Sequence, residues 1–178
     1  MVDIEKRLEM IENTLFGGIA VGSGYDSHRF DSSKKGIILG GVRIPFDKGF
    51  ASHSDGDVLF HSLTDAICGA CAIGDIGTHF PDTDQRYKDI DSSILLKRIM
   101  DIAVSKGCHI SNIDITVIAE RPKMGIYRDE IVKNISAVCG VPAGRISIKA
   151  KTNEKMGFIG REEGIAVISA VCAVFKGI

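Results

Sequence analysis

The chain has 178 residues, 44% apolar and 25% charged, enough for one domain with a substantial core. Its 22 Lys and Arg against 23 Asp and Glu leave a formal charge of -1, which excludes a global basic field for nucleic acid or an anionic membrane, so a phosphorylated substrate needs local cations. Five scattered cysteines fit a reducing cytoplasm rather than a secreted disulfide framework, and no apolar run approaches the roughly 20 residues of a bilayer span.

At the start, Ile4, Leu8, Ile11 and Leu15 recur at helical spacing until Gly17 and Gly18 interrupt them. Residues 1–18 read as an N-terminal extension, flexible or a short helix, serving either as a loosely docked appendage or as a partner-binding element. Asp3, Glu5, Glu9 and Glu12 argue against an export signal or transit peptide. Residues 19–178 read as a single domain. A first strand is expected over Ile19 to His28. A helix runs from Val58 toward Gly74, with Ser54 and Asp57 resembling a capping box. Ser92 or Ser93 caps a second helix that carries Leu95, Ile99 and Ala103 toward Gly107. A strand over Asn112 to Ala119, a helix from Tyr127 to Cys139 before Gly140, and strands over Ile146 to Lys151 and Gly164 to Phe175 complete the pattern. Strands buried on one face, alternating with helices, predict an α+β domain: a ferredoxin-like sandwich with helices on one face of a four-stranded sheet.

Asp26 and His28 stand two apart near a strand end, so they point to the same side. His61 projects from the first turns of the following helix. One carboxylate and two imidazoles match a working zinc with an open fourth position. Each also fits an ordinary polar residue, yet a ring on an apolar helix needs a partner. Asp65, one turn on, is either the acceptor for the other nitrogen of His61 or a plain exposed carboxylate. Ser54 is a helix cap in its simplest reading, and His53 beside it lies where a helix N-terminus favours anions.

Asp75, Ile76 and Gly77, followed by Phe80, Pro81, Asp82, Thr83 and Asp84, make a carboxylate-rich connection, either solvated or a holder of polyol hydroxyls. Ala119, Glu120, Arg121, Pro122, Lys123, Met124 and Gly125 leave a strand as a turn of solvated charges, or as backbone groups for a flat base with Lys123 for phosphate. Lys151, Thr152, Asn153 and Glu154 form a solvated basic loop or a site where Glu154 binds a hard cation such as magnesium. Phe158 and Arg161 add an aromatic ring and a fixed cation, readable also as a core ring and a surface charge. Cys68 and Cys71 spell C-x-x-C, but their place late in an apolar helix makes them core residues rather than a redox pair. No dinucleotide or P-loop glycine motif is present, and no aromatic and basic interleaving suggests RNA.

Taken together, G-Y-D-S-H-R-F, L-G-G-V-R-I-P, H-S-D-G-D-V-L-F-H-S-L-T-D-A, G-D-I-G-x-x-F-P-D-T-D, R-P-K-M and K-T-N-E-K-M-G-F-I-G-R resemble the 2-C-methyl-D-erythritol 2,4-cyclodiphosphate synthase family of the non-mevalonate isoprenoid pathway. The likeness runs from about Ile19 to the C-terminus. It implies a cytoplasmic lyase acting as a homotrimer with inter-subunit active sites. Asp26, His28 and His61 would bind zinc, and Glu154 a second cation, magnesium or manganese. Ser27, His53, Ser54 and the segments at 75–77 and 80–84 would surround the erythritol end of the substrate. The segments at 119–125 and 151–154 would form the neighbouring subunit's pocket for cytidine diphosphate, with His53 and Thr152 steadying the transition state. Phe158 and Arg161 would lie near a central cavity that holds an isoprenoid diphosphate in relatives. Lys151, Asn153 and Gly125 depart from the family pattern in the base pocket. Two rivals fit the zinc trio alone: a zinc phosphoesterase, and a non-catalytic trimer that binds metal or isoprenoid.

Overall fold

A computed structural model describes residues 3–12, 18–52, 54–81, 83–87 and 90–175. The elements in order are α1 (Ile4–Glu12), β1 (Ile19–Asp31), β2 (Ile37–Leu39), β3 (Val42–Ile44), β4 (Gly49–Phe50), α2 (Val58–Ala70), α3 (Ile76–His79), α4 (Ser92–Ser105), β5 (Cys108–Ile118), α5 (Arg128–Cys139), β6 (Ile146–Lys151), α6 (Gly157–Gly160) and β7 (Gly164–Phe175). The main sheet runs β4-β1-β7-β5-β6, with β5 and β6 parallel and the other pairs antiparallel. It has five strands where the alternation predicts four. The extra one, β4, pairs only Phe50 with Phe30 and Gly49 with Asp31, too short a run for any period to register. β2 and β3 form a separate hairpin closed by Gly40 and Gly41, both at positive φ (58° and 73°), the conformation a two-residue turn requires and glycine adopts freely.

One face of the sheet carries the helices: α2 packs on β1 and β7, α4 on α2 and β5, and α5 on β6 and α4. Along β1 the period of two is clear. Gly22 and Gly24 are buried beneath α2, whereas Ile19, Val21 and Tyr25 on the alternate positions are exposed, as is Ile168 of β7. The glycines let helix and strand backbones meet. A Cβ at Gly22 would overlap the Ala66 carbonyl oxygen, and one at Gly24 the Ser62 carbonyl oxygen. On α1, Ile4, Leu8 and Ile11 are exposed. Among the described residues no helix is long and apolar enough to cross a membrane.

Two helix starts differ from the expected caps. α2 is capped by Asp57, not Ser54. The buried Asp57 carboxylate accepts N–H groups from Leu59 and Phe60 (3.2 and 3.1 Å) and, across the fold, from Gly40 and Gly41 (2.9 and 2.7 Å). Burial pushes this carboxyl up to about 6, against the pull of the Gly41, Gly40 and Phe60 N–H groups. α4 is capped by Asp91, which accepts the Ser93 N–H at 2.8 Å, so neither Ser92 nor Ser93 is the cap. At the other end of α5, Gly140 takes the left-handed conformation (φ 68°) and donates to the Ser136 carbonyl. Cys68 and Cys71 are buried core residues of α2 and its end, and burial pushes both thiols up to about 12, far from a redox thiolate.

Candidate active site

Asp26 and His28 project from the same side of β1, and α2, resting on Gly22 and Gly24, brings His61 over them. Asp26 Oδ2 lies 3.3 Å from His28 Nδ1 and 3.2 Å from His61 Nδ1. Its other oxygen accepts the Ser27 N–H at 2.7 Å, which orients the carboxylate. The three side chains each offer one ligand atom, all within 4.8 Å of one another, and they are the one such group among the described residues. His28 Nδ1 is buried with no hydrogen-bond partner among the described residues, a cost that coordination to a metal would remove. Burial also holds the His28 pKa below its ordinary value despite Asp26, favouring the neutral ring a metal needs. At His61 burial acts the same way, but the hydrogen bond and charge of Asp26, together with the charges of Asp57 and Asp55, outweigh it and raise the pKa. An oxygen and two imidazole nitrogens suit zinc, and nothing in the trio supplies the many oxygens that calcium takes.

The trio faces a cavity of about 720 Å3 that is also lined by Ser27, Ser54, Ile76, Gly77, Phe80 and Asp84. The acidic connection thus contributes to it, but unevenly. Asp75 instead caps α3, accepting the N–H and hydroxyl of Thr78 at 2.7 Å each. Asp84 is partly engaged by the guanidinium of Arg86. Pro81, Thr83 and Asp75 do not line the cavity. His53 and Asp82 lie outside the described residues. Asp65 lines the cavity but does not hold the ring of His61, because its carboxylate accepts the Ile76 N–H at 2.8 Å and so ties α3 to α2. The outer nitrogen of His61 faces Ser92 and Ser54 instead, at 2.9 and 3.3 Å. Ser92 was legible only as a helix-start residue, and Asp55, which holds it, carried no distinguishing pattern.

None of the remaining expected residues lines this cavity. They gather where the parallel strands β5 and β6 end: the Ala119 N–H donates to the Lys151 carbonyl at 2.9 Å, which brings the 119–125 and 151–154 segments side by side. Glu120 accepts the N–H groups of Asn153 and Lys155 at 3.1 and 3.0 Å. Those bonds hold a left-handed backbone at Glu154 and Lys155 (φ 48° and 62°), uncommon for residues with side chains. Thr152 donates its hydroxyl to Glu154 at 2.9 Å, and the Glu154 side chain remains exposed. Lys123 and Gly125 are exposed, Met124 and Ala119 are buried, and Arg121 lies over the Phe46 ring at 5.3 Å. Phe158 on α6 is 39% exposed, so it is not a core ring, and Arg161 pairs with Glu163 at 2.7 Å.

A family model described as the YgbB family matches residues 19–174. A 2-C-methyl-D-erythritol 2,4-cyclodiphosphate synthase of Methylobacillus flagellatus is 50% identical over 158 residues, covering 89% of this chain and 98% of the relative. A bifunctional enzyme IspD/IspF of Bartonella tribocorum is 44% identical over 98% of this chain, which spans 42% of that longer protein. Among solved structures, the bifunctional IspDF of Campylobacter jejuni superposes with a TM-score of 0.84 and 44% identity, over 88% of this chain and 42% of its own. The Plasmodium falciparum IspF in complex with CDP superposes with a TM-score of 0.79 and 38% identity, over 91% of this chain and 99% of its own.

Proposed function

The chain belongs to the YgbB family, and on that premise we propose that it converts 4-diphosphocytidyl-2-C-methyl-D-erythritol 2-phosphate into 2-C-methyl-D-erythritol 2,4-cyclodiphosphate and CMP. The observation that carries the reading is the convergence of Asp26, His28 and His61 on a cavity floored by the acidic connection, in a chain half identical to a synthase of that name. The reaction is an intramolecular phosphoryl transfer, a phosphorus-oxygen lyase step of isoprenoid biosynthesis in the cytoplasm. The 2-phosphate oxygen attacks the β-phosphorus, the bond to the CMP oxygen breaks, and CMP leaves with that electron pair.

The nucleophile is already anionic near neutrality, so the residues have little proton transfer to do. What opposes reaction is repulsion between phosphates and the freedom of an open chain. Asp84 and the backbone at Ile76 and Gly77 hold the erythritol end, together with Asp82 and Ser54. The 119–125 and 151–154 segments hold the cytidine diphosphate end, with Lys123 near phosphate. Fixing both ends supplies about 7 to 11 kcal/mol in the best-oriented cases. His53 and Thr152 steady the charge as it moves to the leaving phosphate. A zinc ion held by Asp26, His28 and His61, and a magnesium or manganese ion held by Glu154, would supply Lewis acids that neutralise the diphosphate oxygens.

Among the described residues the two clusters do not share a cavity within one chain, which supports a homotrimer of ferredoxin-like subunits whose active sites each join the metal trio of one copy to the cytidine pocket of the next. The exposed apolar positions Ile19, Val21, Tyr25 and Ile168 on the face without helices offer a surface for that contact. Phe158 and Arg161 would then border a central cavity for an isoprenoid diphosphate, with residues 19–178 as the synthase domain and 1–18 as an extension. Light scattering is expected to give three chains per particle; a monomer turning over substrate would refute shared sites.

The reaction itself is tested by phosphorus NMR of purified protein with the diphosphocytidyl substrate in oxygen-18 water. CMP and an unlabelled cyclic diphosphate are expected, and a chelator should stop both. Solvent label in the phosphate product would mark hydrolysis by a zinc phosphoesterase, and bound substrate without CMP a non-catalytic trimer.

A further inference from the structure

Ser92, the first residue of α4, is fully buried, and its hydroxyl stands between two groups. Its Oγ donates to Asp55 Oδ1 at 2.5 Å, and its backbone N–H donates to Asp55 Oδ2 at 3.1 Å. The same Oγ lies 2.9 Å from His61 Nε2. A serine hydroxyl has one proton, and Asp55 takes it, so toward His61 the oxygen has only lone pairs to offer. The short contact therefore requires the proton on Nε2. A second oxygen near that nitrogen, Ser54 Oγ at 3.3 Å, accepts the Gly56 N–H and can accept from the ring as well.

Asp26 Oδ2, 3.2 Å from Nδ1, is an acceptor too, so a doubly protonated ring satisfies both sides and a neutral ring only one; a neutral ring protonated at Nε2 has its free lone pair at Nδ1. The alternative is close at hand. With the proton on Nδ1 the ring would donate to Asp26, and the atom that should face a metal would be blocked. Asp26 draws the proton one way; Asp55 and Ser92 must draw it the other.

From this chain of contacts we infer that Asp55 and Ser92 are positioning residues that set His61 as its Nε2–H tautomer and so present Nδ1 to the Asp26 and His28 cluster. The role also explains why a loop before α2 is bound to the start of α4, 37 residues further on: Asp55 is held there by its own N–H to the Ile90 carbonyl as well as by Ser92. Its value for catalysis rests on the reading of the cluster as a metal centre, whereas the proton on Nε2 rests on the hydrogen bonds of Ser92 alone.

The test is nitrogen-15 NMR of the histidine-labelled full chain at pH 9, with and without one equivalent of zinc, beside zinc titrations of wild type, Ser92→Ala and Asp55→Asn. Wild-type His61 is expected to report Nε2–H in both states. Ser92→Ala should move the metal-free ring toward Nδ1–H and weaken zinc binding by about 10- to 100-fold, the usual loss for a partner outside the ligand set. Asp55→Asn should shift both readouts the same way by less, since an amide oxygen still accepts one of the two donors. A Ser92→Ala protein that keeps the Nε2–H tautomer and wild-type zinc affinity overturns the inference, even if its melting temperature falls, because a purely structural role would move only the latter. Wild type with Nδ1–H overturns it too. Wild type that shows Nε2–H but binds no zinc leaves the relay standing and overturns the metal reading alone.

Discussion

His61→Ala is expected to abolish bound zinc and to lower CMP formation by about a thousandfold or more, on the scale of the several kcal/mol that a Lewis acid contributes to charge stabilisation. The reason is geometric. Asp26 and His28 come from one strand, so among the described residues His61 is the only ligand that closes the site from the helix side. Without it the orphaned nitrogen of His28 faces a carboxylate alone. The fold should persist, because α2 is anchored by Asp57 at its start and by Gly22 and Gly24 beneath it, and the one bond from His61 to Asp57, its backbone N–H to the Asp57 carbonyl, survives the loss of the ring. Metal content by mass spectrometry and CMP release from authentic substrate, measured on one sample of unchanged circular dichroism, give the answer. Full activity in this variant would refute the ligand assignment.

Gly24→Ala is expected to cost about 3 kcal/mol or more, at or beyond the upper end for overpacking, and so to lower the melting temperature by roughly 6 to 12 °C. The added Cβ would overlap the Ser62 carbonyl oxygen and crowd the Ala66 N–H. Both are backbone atoms, so no rotamer change relieves the clash and the helix itself must lift. Lifting α2 moves His61 away from Asp26 and His28, and it strains the bond from the Ser62 hydroxyl to the Gly24 carbonyl. Stability and zinc affinity should therefore fall together in this variant, whereas His61→Ala separates them. Calorimetry with a zinc titration checks it; wild-type zinc affinity in a destabilised Gly24→Ala would break the proposed link between the packing and the site.

Much of this architecture is visible in the residues themselves, for stated reasons. The four long strands carry enough alternating positions to be read, and the helices over 58–70, 92–105 and 128–139 have apolar faces that local periodicity reveals. β4 has two residues and β2 and β3 three each, below the length at which a period exists, although the Gly40-Gly41 pair between apolar residues is itself a hairpin signal. The α2 cap is not legible locally because the four donors to Asp57 come from two places, and the hairpin turn that supplies two of them meets it only in the folded chain. The metal trio follows from spacing on β1 and the start of α2, but its closure depends on two glycines whose role is contact, not sequence pattern. Spacing makes Asp65, one turn away, either the partner of His61 or an exposed carboxylate, and it is neither, because it accepts the Ile76 N–H. Ser92, from another helix, occupies that place because Asp55 holds it there.

The catalytic reading of this chain depends on an ion being held between β1 and α2, and zinc-edge anomalous diffraction from crystals grown with zinc measures that directly. One strong peak is expected, bonded to Asp26 Oδ2 and to a nitrogen each of His28 and His61. A peak elsewhere, or none at these three groups, would contradict the account.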